Sequence, residues 1–172
     1  MVERANGVTV DGNPMTLLGP ELQAGDKAPD FSVLANDFSE VTLASSRGKI
    51  RLILSVGSLD TGICDAETKR FNEEIAHFAG NIEVLCISCD LPFAQVRWCG
   101  DSQVDMVKTL SDHRDVNFGL AYGTLVKEAR LLSRAVFIVD ANDIIRYVQY
   151  VPEVAQHPDY DDAMAALRRV AG

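Results

Sequence analysis

Apolar and polar positions alternate first around a tight turn. Val8-Thr9-Val10 and Met15 to Leu18 flank Asp11-Gly12, the pattern of a hairpin. A second pair of short strands, Phe31 to Ala35 and Glu40 to Leu43, surrounds Asn36-Asp37. The pattern then changes to nearly unbroken apolar runs. Arg51 to Val56 and Ile82 to Ile87 predict strands buried on both faces. Between them, Ala66, Phe71, Ile75 and Phe78 recur at helical spacing, with Gly80 placed to end the helix. Pro92 opens a short helical segment predicted to end at Cys99-Gly100. Met106 to Leu110 is a weaker strand. Ala135 to Val139 and Ile144 to Val151 form a pair around Ala141-Asn142-Asp143. A final helix runs from Asp159, with Tyr160, Ala163, Met164, Leu167 and Val170 on one stripe. Strand, helix and strand, followed by an antiparallel pair and a closing helix, predict an α/β sandwich around a mixed sheet. No linker or repeat divides residues 1–172, so one domain is expected, with about residues 1–20 as a hairpin extension.

Composition narrows the partners. The 172 residues are 47% apolar and 24% charged, enough to build a core without staples. The net charge of −9 opposes binding to phosphate backbones and anionic membranes, so neither nucleic acid nor membrane is an expected partner. The first ten residues hold Glu3, Arg4 and Asn6 and no apolar core of a signal peptide; a soluble cytoplasmic protein is expected.

Four cysteines are too few for a disulfide scaffold at this length, which leaves core filling or chemistry. Cys64 follows the central strand through Gly57-Ser58-Leu59-Asp60-Thr61. If Thr61 is the N-cap, Cys64 falls in the first helical turn, where unpaired backbone N–H groups favour a thiolate. The Thr61 hydroxyl is placed to hydrogen-bond that thiolate and an incoming oxygen. Cys99, at the expected fraying end of its helix, suits a thiol that must move. Cys86 reads as core. Cys86 and Cys89 have CxxC spacing, but on a strand they point to opposite faces, so this is not a redox motif. Neither cysteine nor histidine pairs repeat with zinc-ligand spacing, and no metal or cofactor is expected. His77, His113 and His157 read as surface residues, although a Cys-His hydrolase assembled in space stays open.

Ser58-Leu59-Asp60-Thr61-Gly62-Ile63-Cys64-Asp65 with Arg70 to Glu74, Asp90 to Gln95 with Arg97 to Gly100, Leu131 to Phe137, and Tyr147 to Tyr160 together resemble bacterial thiol peroxidases, atypical two-cysteine peroxiredoxins. The hairpin Val8 to Pro20 is similar to the extension of that branch. The resemblance implies a thioredoxin-like fold and reduction of hydrogen peroxide and organic hydroperoxides. It implies that Cys64 is the peroxidatic and Cys99 the resolving cysteine, joined in an intrachain disulfide, with Thr61 and Arg134 as further active-site members. It also implies a thioredoxin-type reductant and a homodimer. Position alone does not separate Arg134 from Arg130 or Arg146. The family pattern has a proline seven residues before the peroxidatic cysteine, and here Gly57 stands in its place. Glycine there predicts a looser, more exposed pocket. Cys89 also replaces a small non-thiol residue. A non-catalytic redox sensor of the same fold is the alternative.

Overall fold

The computed structural model describes residues 1–78 and 80–172. Among them the chain alternates between a large sheet and the helices that cover it. In order, the elements are β1 (Glu3–Val10), β2 (Asn13–Leu18), β3 (Ser32–Leu34), β4 (Glu40–Thr42), β5 (Ile50–Ser55), α1 (Gly62–Ile75), β6 (Ile82–Ser88), α2 (Pro92–Ser102), β7 (Val107–Ser111), α3 (Asn117–Ala121), β8 (Leu125–Val126), β9 (Leu131–Leu132), β10 (Ala135–Val139), β11 (Ile145–Tyr150) and α4 (Tyr160–Ala171). A single 3-10 turn, Leu43–Ser46, follows β4. The seven-stranded sheet has the order β11-β10-β5-β6-β7-β3-β4. Strands β5, β6 and β7 run parallel, and β10, β11, β3 and β4 join antiparallel. This is the mixed sheet that the apolar runs predict.

The two faces of the central strands explain why those runs are continuous. Leu52, Leu54, Val84, Cys86, Val136 and Ile138 face one layer, which α1, α4 and Trp98 of α2 complete. Ile53, Leu85, Ile87, Phe137 and Val139 face the other, closed by Phe31, Leu43, Phe118 and Tyr122. Each strand therefore needs apolar residues at every position. Cys86 lies in the first layer and Cys89 packs against the second, on opposite faces as read from the sequence.

Three expectations change. Helix α1 ends at Ile75, short of Gly80. Its buried stripe is Cys64, Glu67, Thr68, Phe71 and Ile75, and Ala66 is exposed. Helix α2 continues past Cys99 to Ser102, capped by Gln103 in the left-handed region. Cys99 is thus held inside the last turn, its carbonyl accepting from Gln103 N at 3.1 Å.

The hairpin β1–β2 is stitched to the far end of the chain. Thr9 N donates to Pro152 O at 2.8 Å, and Val154 N donates to Thr9 O at 3.0 Å. The Glu153 carboxylate accepts from the Thr9 hydroxyl at 2.6 Å and from Asp11 and Gly12 N–H. These donors, led by Thr9, hold its carboxyl down at about 2. Strand β2 also pairs with β8, so the hairpin belongs to a small sheet of order β1-β2-β8-β9. No helix among the described residues is long and apolar enough to cross a membrane.

Candidate active site

Strand β5 delivers the chain to a loop whose shape is set by one carboxylate. Asp90, just past β6, accepts from the Ser58 hydroxyl at 2.6 Å, from Leu59 N at 2.8 Å and from the Ser88 hydroxyl at 2.7 Å. Thr61 then caps α1 with extended backbone, which puts Cys64 at the third helical position. The Thr61 hydroxyl donates to Ser58 O at 2.8 Å, and its side chain makes no capping bond. The expected bond from Thr61 to Cys64 is therefore not formed. The hydroxyl proton closes the loop, and the oxygen keeps its acceptor lone pairs.

Cys64 is a free thiol, 1% exposed, in the same apolar cluster as Val56, Leu59 and Phe71. Arg134, on the short connection between β9 and β10, is 2% exposed. Its Nη2 donates to Cys64 Sγ at 3.4 Å and to Val154 O at 3.0 Å. Its Nη1 donates to Glu67 Oε2 in a buried ion pair. Burial works against the guanidinium charge, yet Glu67 and Cys64 hold it above its ordinary range. Burial pushes the Glu67 carboxyl up to about 7 against the pull of Arg134. The other arginines separate cleanly. Arg130 is exposed, and Arg146 pairs with Asp140 at 2.6 Å in a half-exposed bridge.

Cys99 is turned elsewhere. Its sulfur lies 3.3 Å from the Thr109 hydroxyl on β7, at the edge of a cavity of about 520 Å³. Cys64 and Cys99 are not bonded to each other. Helix α2 is moored to α1 by Trp98 Nε1 to Asp65 Oδ1 at 2.9 Å, and to the loop before α1 by a forked contact from Arg97 to both Asp60 oxygens, at 2.8 and 2.9 Å. The Trp98 and Arg97 contacts hold α2 with the Cys99 sulfur on Thr109. The remaining thiols are subdued: burial drives the Cys86 thiol well upward and pushes Cys89 to about 12. None of the three histidines is hydrogen-bonded to Cys64 among the described residues; His113 meets Ser111 and His157 meets Tyr160. Nor do three or more His, Cys, Asp or Glu side chains cluster as metal ligands there.

The geometry adds Glu67, Asp90 and the Asp65–Trp98 contact to the residues singled out from sequence. Glu67 lies on the buried stripe of α1, between Cys64 and Phe71.

The Redoxin family model matches residues 23–164. The chain belongs to the Redoxin family, among its thiol peroxidases. It is 58% identical to the thiol peroxidase of Halalkalibacterium halodurans, over 94% of this chain and 96% of that one. It is 50% identical to the thiol peroxidase of Bacillus subtilis, again over 94% and 96%. A solved peroxiredoxin-like protein from Aquifex aeolicus superimposes with a TM-score of 0.90 at 38% identity, covering 96% of this chain and 98% of that one. The thioredoxin-like fold of this family is thus the fold of the chain.

Gly57, where the family has proline, is not in the left-handed region, and a Cβ there would meet only Leu132 O, at an ordinary 3.5 Å. Its N–H makes no hydrogen bond among the described residues. Gly57→Pro is therefore expected to stabilise the fold by about 0.5–1 kcal/mol by restricting the unfolded chain. Thermal denaturation checks this; a lowered Tm would show that the loop depends on glycine.

Proposed function

We propose that the protein is a thiol peroxidase that reduces hydrogen peroxide and organic hydroperoxides through Cys64 and Cys99. The observation that carries this reading is the Arg134 guanidinium 3.4 Å from a buried sulfur in the first turn of a helix. A helix start and a permanent cation both favour the anionic form of sulfur. The Cys64 thiolate attacks one peroxide oxygen. A sulfur–oxygen bond forms, the O–O bond breaks, and the leaving alkoxide or hydroxide takes a proton to become alcohol or water. The same guanidinium lies where negative charge spreads in that transition state. Thr61, with its acceptor lone pairs at the loop, orients the peroxide hydrogen.

The Cys64 sulfenic acid is then condensed by the Cys99 thiol, forming the disulfide and releasing water. A thioredoxin-type dithiol reduces it by two exchange steps, becoming oxidised itself. Trp98 is the only tryptophan and sits beside Cys99 on α2, so its emission reports the release of that helix.

Stopped-flow mixing of reduced protein with a hydroperoxide tests the sequence of events. Two phases are expected, sulfenic acid formation and then a Trp98 change. Cys99→Ser should consume one equivalent of peroxide and then stop cycling with a dithiol, without the second phase. Sustained cycling by Cys99→Ser would remove Cys99 from the resolving role. Mass spectrometry of the oxidised wild type should find Cys64 linked to Cys99.

A further inference from the structure

The site contains one cation and two acids that compete for it. Arg134 gives Nη1 to Glu67 and Nη2 to Cys64, and its Nε has no hydrogen-bond partner among the described residues. Glu67 is fully buried, and its second oxygen, Oε1, is also without a partner among the described residues. A carboxylate so placed is costly to ionise without the whole of its counter-charge. When Cys64 is a thiolate, both anions draw on one guanidinium, and each disfavours the ionisation of the other.

The surrounding groups offer little relief. Cys86 of β6 and Tyr160 of α4 both feel the Glu67 charge, and both are acids that burial keeps protonated, Tyr160 pushed up to about 12. Arg70 lies over the Tyr160 ring at 4.1 Å, and His157 bonds the Tyr160 hydroxyl at 2.7 Å; neither is bonded to Glu67. Thr68, next to Glu67, donates to the Cys64 carbonyl.

We propose that Glu67 is a positioning residue that divides the charge of Arg134: ionised, it withholds part of the guanidinium field from Cys64, and protonated, it yields that field to the thiolate and the peroxide. Because burial lifts the Glu67 carboxyl to about 7, the division changes within the ordinary pH range. It also couples protons to oxidation. Conversion of the thiolate to a neutral sulfenic acid removes the competing anion, so Glu67 then gives up its proton to solvent more readily. That proton balances the one taken from solvent by the leaving alkoxide.

Only the kinetic arm of the test rests on the peroxidase reading. The first arm follows the Glu67 carboxyl by infrared difference titration, assigned with Glu67→Gln, in reduced protein carrying Cys99→Ser. Adding Cys64→Ser should shift its deprotonation downward by about one pH unit, the scale of a neighbouring like charge. An unshifted titration overturns the proposal. The second arm measures the peroxide reaction of wild type and Glu67→Gln, the latter keeping an acceptor for Arg134 but no charge. The ratio of variant to wild-type rate should grow about tenfold as pH rises through the Glu67 range. Glu67→Asp, which restores an ionisable group, should bring the pH dependence back. A flat ratio, as expected if Glu67 serves packing alone, also overturns it. If neither protein consumes peroxide while the infrared shift appears, the peroxidase reading fails and the charge division stands.

Discussion

Cys64→Ser is expected to abolish peroxide consumption, with a loss of at least about 10⁴-fold, while the protein stays folded. Every support around the sulfur would remain. Position three of α1, the Arg134 guanidinium and the apolar wall of Val56, Leu59 and Phe71 do not depend on the atom itself. A serine hydroxyl in that place is neutral at any ordinary pH and a poor nucleophile toward an O–O bond. The substitution is nearly isosteric and its hydroxyl can accept from Arg134 Nη2, so the stability cost should stay near 1 kcal/mol. Stopped-flow consumption and thermal denaturation on the same sample separate the two effects. Full consumption by the variant would place the nucleophile elsewhere. Cys86 and Cys89, both held protonated by burial, would then be poor replacements.

Arg134→Met should harm both rate and stability, for separable reasons. Removing a preorganised cation from the reacting sulfur is expected to cost about 10²–10³-fold in the peroxide reaction. Removing the partner of a buried carboxylate costs about 3–5 kcal/mol while that carboxylate stays charged. The pH window follows from Glu67. Its folded-state value is raised from an ordinary 4.5 to about 7 even with Arg134 present. At pH below 4.5 it is protonated folded and unfolded alike and costs nothing. As pH rises past 4.5 the unfolded chain ionises first, so stability falls until the folded carboxyl ionises too. Without Arg134 that folded value moves higher and the fall extends further. The variant should therefore approach wild-type stability in mild acid and lose most of it above neutrality. Adding Glu67→Leu should recover the stability and leave the rate loss in place. Urea denaturation at acid and alkaline pH, beside stopped-flow rates, reads both. Equal stability of wild type and Arg134→Met at each pH would contradict the buried pair.

The reach of the sequence followed the length of the signal. The β1–β2 hairpin announces itself through Asp11-Gly12, and β5, β6 and β10 through apolar runs that sheet burial on both faces demands. Strands β8 and β9, two residues each, are too short to show alternation, and α3 starts after Val116 in the left-handed region, against the usual capping pattern. Cys64 was legible because strand, loop and cap are contiguous. Arg134 was not legible without resemblance, because its partners come from two distant segments: Cys64 and Glu67 of α1, and Val154. Glu67 was hidden by its polarity. A charged residue on an apolar stripe reads as solvent-facing until its counter-ion is known. Gly100 reads as a terminator of α2, whereas in the fold Gln103 takes the left-handed cap.

The stitching of the hairpin to residues 152–154 has a consequence for how the molecule is made. Thr9 and Glu153 are separated by 144 positions, so during synthesis the first strands leave the ribosome long before their anchor exists. The Val154 carbonyl that holds Arg134 belongs to that same late segment. A growing chain therefore carries the Cys64 thiol well before the setting of its arginine is complete. The hydrogen bonds of Arg134 are complete only once Val154 has been made, after every strand of the large sheet.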